Sequence, residues 1–211
     1  MKKILITAGP TREAIDRVRF ITNGSTGKMG YALAAAAAAR GHFVRLVSGP
    51  VNLPPPEGVE VVRVTTAAEM ADAVLSSFTD FDAVIMTAAV ADYRPKNIFD
   101  GKMKKQPGGM TIEMERTTDI LAEMGARRNG AKQPLLVGFA AEYGADEKLP
   151  KEKLVKKKCD WIAFNDVSAE GAGFGTATNR IILFCAAGER IPLEMASKED
   201  IARQLLEHTG L

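Results

Sequence analysis

Short apolar runs alternate along the chain with longer stretches whose apolar positions recur at helical spacing. The runs at Ile4 to Ala8, Phe43 to Val47, Val59 to Val64, Ala83 to Ala88, Leu135 to Phe139 and Trp161 to Phe164 have the length and side-chain types of strands. Gly27 to Arg40, Ala67 to Phe78, Asp119 to Arg128 and Lys148 to Lys158 have the composition of helices. This succession predicts an α/β fold, a Rossmann-like, mostly parallel sheet with helices on both faces. The early strands are almost continuously apolar, as a sheet covered on both sides requires. After Asn179 the period changes. Ile181 to Cys185, a turn at Gly188 and Ile191 to Leu193 predict a C-terminal antiparallel hairpin, followed by a last helix over Lys198 to His208. With no linker or internal repeat, residues 1–211 read as a single domain.

Two connections are too long for this pattern. Gly9 to Thr26 and Ala89 to Gly109 exceed the roughly 2 to 6 residues usual between a strand and a helix. Both follow predicted parallel strands, so both belong at the carboxyl edge of the sheet, where open α/β folds bind ligands. The first loop enters its helix through Asn23-Gly24-Ser25-Thr26-Gly27-Lys28-Met29-Gly30. Small residues let backbone N–H groups approach an anion, and a helix N-terminus adds partial positive charge, so one reading is a phosphate site. The other is that Gly24, Gly27 and Gly30 only allow a tight turn and close packing of helix on sheet. Named motifs do not fit: a P-loop needs Gly where Thr22 stands and Ser or Thr where Met29 stands. A dinucleotide fingerprint needs an acid near the end of the second strand, where the chain has Ser48-Gly49-Pro50, which disfavours NAD and hydride transfer.

The second loop begins Ala88-Ala89-Val90-Ala91-Asp92-Tyr93 and closes on Gly101-Lys102-Met103-Lys104-Lys105. A carboxylate just past a strand, followed by clustered lysines, suits a nucleoside triphosphate: Asp92 for a ribose hydroxyl or a metal, the lysines for phosphate charge. A solvated basic loop is the plainer alternative. Lys153 and Lys157 lie one turn apart on one helical face and repel unless an anion or water separates them. The same segment carries Glu147 and Glu152, as an exposed face would.

Composition narrows the classes. Hydrophobic residues make up 46%, charged residues 26%, and the formal net charge is +2, which excludes general nucleic-acid binding but not a local basic patch for a small polyanion. Cys159 and Cys185 form no C-x-x-C pair and, with His42 and His208, make a poor zinc set; neither histidine has a nucleophile pattern beside it. Both cysteines and Trp161 read as core. The longest apolar run, Tyr31 to Ala39, is far shorter than the roughly 18 residues of a membrane span. Met1-Lys2-Lys3 leads straight into a strand, so no membrane is expected and a reducing cytoplasm is the simplest compartment.

Six stretches taken in order resemble the phosphopantothenoylcysteine synthetase family of coenzyme A biosynthesis. They are Ile6 to Glu13, Asn23 to Gly30, Ala88 to Tyr93, Lys102 to Lys105, Gly138-Phe139-Ala140-Ala141-Glu142 and Asn165-Asp166-Val167, within a match running from Ile4 to about Leu206. The resemblance implies a ligase that joins 4'-phosphopantothenate to L-cysteine. The carboxylate attacks the α-phosphate of CTP to give an acyl-cytidylate and pyrophosphate; the amine of cysteine then expels CMP, with Mg2+ offsetting the triphosphate charge. The Lys-x-Lys-Lys motif is that of the CTP-using bacterial type.

The resemblance also implies site residues. Lys102 is the main catalytic candidate, holding the triphosphate as charge builds on it. Asn23 contacts the acyl intermediate, with Arg19 close by and Gly9 in the same loop. Met86, Thr87, Ala88, Asp92, Thr118, Asp119, Ile120, Leu121, Phe139, Lys153 and Lys157 form the nucleotide pocket, with Asp92 on the ribose. Metal ligands stay unassigned. A homodimer is implied, in which the 179 to 193 hairpin or the 89 to 109 loop serves the partner's site. A flavin-dependent decarboxylase, fused or separate, is the expected companion, and the chain is either a stand-alone synthetase or a domain of a bifunctional protein. A nicotinamide-linked reductase and a non-catalytic nucleotide-binding module are the rival classes.

Overall fold

The computed structural model describes residues 1–105, 107–169, 171, 173 and 175–211. In chain order the strands are β1 (Lys3–Ala8), β2 (Arg12–Ala14), β3 (Phe20–Thr22), β4 (Phe43–Ser48), β5 (Val59–Arg63), β6 (Ala83–Met86), β7 (Tyr93–Pro95), β8 (Met114–Arg116), β9 (Leu135–Glu142), β10 (Trp161–Asp166), β11 (Thr178–Cys185) and β12 (Arg190–Ser197). The helices are α1 (Lys28–Ala39), α2 (Ala67–Leu75), α3 (Ile120–Arg127), α4 (Lys148–Lys156) and α5 (Lys198–His208).

One eight-stranded sheet runs β5-β4-β1-β6-β9-β10-β11-β12. The pairs from β5 to β10 are parallel, and β11 and β12 add on antiparallel. The parallel part has the strand order of a doubly wound nucleotide-binding fold. Its direction reverses between β1 and β6, so the loops leaving these two strands flank the crevice where such folds take ligands. Helices α1 and α5 cover one face with Leu33, Ala37, Ile201 and Leu205. The other face is covered by α2, α3 and α4 through Met70, Val74, Ile120, Met124 and Leu154. The predicted fold class stands. No helix among the described residues is long and apolar enough to cross a membrane.

Three of the five helices, α2, α3 and α5, start on a side-chain cap. In α2, Thr66 accepts from the Glu69 N–H while Glu69 reaches back to the Thr66 N–H, a reciprocal cap. Asp119 caps α3 through the Ala122 N–H, and Ser197 caps α5 through the Asp200 N–H. By contrast, α1 opens on Gly27 at φ 79° with no side-chain cap and no acidic residue in its first turn. Its first N–H groups are therefore left for something else.

Both long loops contain structure that the sequence pattern does not reveal. The first folds into the hairpin β2–β3, and the second forms an arm in which β7 pairs with β8. That arm extends past Gly109 to Arg116. Three-residue strands are too short to show a period, and Phe20, Ile21, Tyr93 and Arg94 are all exposed, so no buried face marks them. At the carboxyl edge β9 and β10 run on to Glu142 and Asp166, because the ladder between them persists after the apolar run ends. Strand β6 instead stops at Met86: the Ala88 N–H turns to the Thr7 hydroxyl at 3.1 Å. Trp161 and Cys159 are core as expected, whereas Cys185 is half-buried.

Candidate active site

The loops leaving β1 and β6 are stitched to each other. The Ala89 N–H donates to the Gly9 carbonyl at 2.9 Å, the Thr11 N–H to the Ala89 carbonyl at 3.3 Å, and the Ala91 N–H to the Thr11 hydroxyl at 3.0 Å. Asn23 also donates its amide to the Ala89 carbonyl, at 3.0 Å. These bonds hold two clefts open on either side of the second loop.

The first cleft, of about 420 Å³, lies between the second loop and α3 and α4. Met86 and Ala88 form its floor, Asp92 one rim, Thr118, Asp119, Ile120 and Leu121 the α3 side, and Phe139, Lys153 and Lys157 the far wall. Tyr93 and Arg116, from the paired arm, close the open side. Asp119 and Lys157 are partners here rather than separate ligand contacts: their charged atoms lie 2.8 Å apart, and Asp119 also caps α3. Burial pushes the Asp119 carboxyl up, but the Lys157 ammonium and the Ala122 N–H outweigh it and leave the carboxyl below its ordinary value. Lys153 behaves differently. Burial and then the neighbouring Lys157 pull its ammonium below the ordinary lysine value, against Glu142, Asp92 and Asp119. Among the described residues Lys153 makes no ion pair, so its charge is free for a ligand.

The second cleft, of about 320 Å³, lies between the first loop and the C-terminal hairpin. Asn23, Ser25, Gly27 and Gly30 line one side, Asn165, Asn179 and Lys198 the other, and Thr87 the floor. Gly30 permits the approach of α1 to this floor. A Cβ there would lie 2.5 Å from the Thr87 hydroxyl, 2.6 Å from the Ala8 methyl and 2.9 Å from the Thr7 carbonyl. Gly27 takes a left-handed turn that a side chain would strain, whereas a Cβ on Gly24 would meet nothing. The tight-turn reading of these glycines and the phosphate reading are thus compatible: the packing is what exposes the start of α1. Ala88, Val90, Asp92, Phe139 and Lys153 line both clefts. Two ligands bound side by side would meet at this seam.

Over residues 1–210 the sequence matches the family described as the DNA/pantothenate metabolism flavoprotein C-terminal domain. The chain belongs to this family. It is 53% identical over 207 residues to the coenzyme A biosynthesis bifunctional protein CoaBC of Bacillus subtilis, covering 98% of this chain and 50% of that protein. To the Escherichia coli K12 protein of the same name it is 45% identical, covering 97% of this chain and 50% of that one. The chain thus spans about half the length of these curated relatives. The crystal structure of the C-terminal domain of a CoaBC protein superimposes with a TM-score of 0.82 at 43% identity, covering 98% of this chain and 93% of that chain. The Cab2 mutant H337A, in a complex with phosphopantothenate-cysteine, shares the fold with a TM-score of 0.80 at 17% identity, covering 99% of this chain and 86% of that one.

Within this family member, three candidate residues lie outside both clefts. Gly9 is buried beneath the seam, where its carbonyl holds Ala89. Arg19 is bound to Asp16 through its Nε at 3.0 Å and gives its other nitrogen to the Met103 carbonyl at 3.0 Å. Met103 returns its N–H to Asp16 at 3.0 Å, so the hairpin clasps the segment beside exposed Lys102. The Arg19 guanidinium, against desolvation and with the N–H groups of Val18, Arg19 and Met103, holds the Asp16 carboxyl well below the usual carboxylate range. The remaining candidates line the clefts, with Thr87 in the second rather than the first. Sequence reasoning gave no role to Asn165 or Tyr93, although each belongs to a quoted motif, and passed over Lys198, Asn179 and Arg116. Asn165 and Tyr93 thus carried a signal; the others reach the site through pairings between distant segments.

Proposed function

We propose that this chain is a CTP-dependent phosphopantothenate–cysteine ligase acting in coenzyme A biosynthesis. The observation that carries the reading is the shared wall: two clefts of substrate size meet along Asp92, Phe139 and Lys153. A reaction between a nucleotide α-phosphate and a carboxylate needs two adjoining sites that hold the reacting atoms together. The names of the bifunctional relatives and the ligand in the Cab2 title support the substrate class.

In this reading CTP occupies the first cleft, with Asp92 on the ribose, Phe139 and the start of α3 against the base, and Lys153 toward the α-phosphate. 4'-Phosphopantothenate occupies the second. Its carboxylate oxygen attacks the α-phosphorus, a P–O bond forms, and the bond to pyrophosphate breaks. The desolvated Lys153 ammonium faces the charge that builds there. The amine of L-cysteine then adds to the acyl-cytidylate carbonyl, loses a proton, and CMP leaves. Asn23 holds that carbonyl from the first loop. Mg2+ offsets triphosphate charge when bound. No group of three or more His, Cys, Asp or Glu side chains converges among the described residues, so the ion would ride on the phosphates, with Asp92 rather than the lysine-paired Asp119 as the cleft carboxylate open to it.

Lys102 and Arg19 lie close together on two arms, and neither lines a cleft of its own chain. Those arms expose Val18, Phe20, Ile98 and Phe99, which are 45 to 62% accessible. A homodimer that covers these side chains would carry Lys102, within the 89 to 109 loop, to the partner's nucleotide cleft. The relatives' remaining length fits an attached decarboxylase half. The test is direct: protein supplied with 4'-phosphopantothenate, cysteine, Mg2+ and CTP should release CMP and pyrophosphate in equal amounts. Release of neither, with a control ligase active in the same mixture, defeats the proposal.

A further inference from the structure

Asp16, in the turn between β2 and β3, has a fully buried carboxylate that accepts from five donors. One oxygen closes the turn: Oδ1 accepts from the Val18 N–H at 2.8 Å and the Arg19 N–H at 2.7 Å. The other reaches beyond the hairpin. Oδ2 binds the Arg19 guanidinium, with Nε at 3.0 Å, and accepts from the N–H of Met103, 87 residues along the chain, at 3.0 Å. The turn by itself asks for one acceptor, which an asparagine would supply. A carboxylate taken wholly out of water is costly unless it is paired. The need for an ionised group here therefore lies in the segment that Oδ2 grips.

That grip falls beside Lys102. Backbone bonds first join the turn to the second loop: the Phe99 N–H donates to the Ile15 carbonyl and the Arg17 N–H to the Gly101 carbonyl, both at 3.0 Å. Asp16 then holds Met103 on both sides, its N–H directly and its carbonyl through Arg19. Lys102 lies between these fixed points with its own side chain exposed. The Met103 N–H belongs to the peptide that leaves Lys102, so the bond fixes the plane that carries the lysine side chain. Among the described residues, the loop makes no further hydrogen bond between Met103 and Glu113. Asp16 is thus the anchor on the free side of Lys102.

We propose that Asp16 is a positioning residue for the first half of the reaction, in which the carboxylate oxygen bonds to the α-phosphorus and pyrophosphate leaves: it fixes residues 99–103 so that Lys102 meets the triphosphate already aimed. The inference rests on the ligase reading and on Lys102 serving it. A lysine on an unanchored loop would have to be ordered at every turnover, and the lost freedom would add to the barrier. Asp16 lines neither cleft and acts through the backbone of Lys102. Asp16→Asn separates its two tasks. The amide oxygen can keep the Val18 and Arg19 N–H groups, so the turn survives, but the NH2 group then faces the Met103 N–H and the guanidinium, donor against donor.

Single-turnover release of pyrophosphate from saturating CTP and 4'-phosphopantothenate, with Mg2+ and without cysteine, tests this, because its rate constant does not depend on the fraction of protein folded. Asp16→Asn should slow release about 10- to 100-fold, the scale of a catalytic group misplaced by about 1 Å, with the CTP concentration for half-maximal rate within about threefold. In a Lys102→Met background the same substitution should change the rate by less than about twofold, since the residue it positions is gone. A parental rate for Asp16→Asn overturns the proposal. So do losses that multiply in the double variant, which mark a merely structural carboxylate. Should Asp16→Asn not fold, Met103→Pro removes the same bond from the other side, and its comparison with and without Lys102→Met is read in the same way. Lys102→Met at the parental rate overturns this inference and leaves the ligase reading standing, whereas a parent that releases no pyrophosphate sinks both.

Discussion

Gly30→Ala adds a single methyl where α1 touches the sheet, and the structure sets its cost. The new carbon would lie 2.6 Å from the Ala8 methyl and 2.9 Å from the Thr7 carbonyl, both fixed on the central strand β1. Nonbonded carbons settle at about 3.5–4.0 Å, so the helix must retreat by about 1 Å. The third neighbour, the Thr87 hydroxyl at 2.5 Å, could rotate away only by giving up its bond to the Thr7 carbonyl. Overpacking of this kind costs about 1–3 kcal/mol and the lost bond about 1 kcal/mol, against about 1 kcal/mol gained in helix propensity. The net is a destabilisation of about 2 kcal/mol, which for a domain of this size lowers Tm by about 4–8 °C. Thermal and urea unfolding followed by circular dichroism would measure it, with an unchanged urea slope showing that the folded and unfolded states are otherwise the same. Gly24→Ala, where a Cβ meets nothing, is the control and should shift stability by no more than about 0.5 kcal/mol. A Gly30→Ala protein as stable as its parent would refute the close-packing argument. Because α1 carries the exposed N–H groups of the second cleft, the same variant should also bind 4'-phosphopantothenate less tightly.

Other consequences are open to measurement. Lys153→Met should reduce kcat/KM for CTP at least about 100-fold while leaving the fold at least as stable at neutral pH. Its folded pKa is depressed, so the charge is a penalty that is full below that pKa and disappears as pH rises through the unfolded value; a lower Tm for the variant at pH 7 would contradict this sign. Asp16 is depressed in the other sense: its pairing stabilises above its ordinary value of 3.8 and is lost as pH falls below it. Protection of the Met103 amide, measured against its intrinsic exchange rate at each pH, should therefore fall in acid in the parent, and already be lost at neutral pH in Asp16→Asn. Arg128→Met should cost about 3 kcal/mol in urea unfolding, because the nearly buried guanidinium holds Asp160 and the carbonyls of Pro134 and Lys158; a loss under 1 kcal/mol would show the cluster to be replaceable.

The succession of strands and helices was legible because the central parallel strands are buried on both faces and each helix on one, and these periods are written locally. Ile4 to Ala8 and Ala83 to Met86 could be nothing else, and their long following loops pointed to the carboxyl edge. The short arms were not legible. Phe20 and Tyr93 face outward in three-residue strands, so neither burial nor period marked them. Pairing was hidden as well: Asp119 and Lys157 read as independent nucleotide contacts, and only the packing of α4 beside α3 joins them. Arg19 likewise became the clasp of the segment carrying Met103, a contact spanning 84 residues of sequence. The sequence alone thus determined the sheet, the two long loops at its carboxyl edge and most residues that line the first cleft. Tertiary structure alone decided that the two clefts share a wall at Lys153, and that Lys198 from the last helix enters one of them. A residue's local pattern reports what covers it, but not which distant segment the winding of the sheet brings alongside.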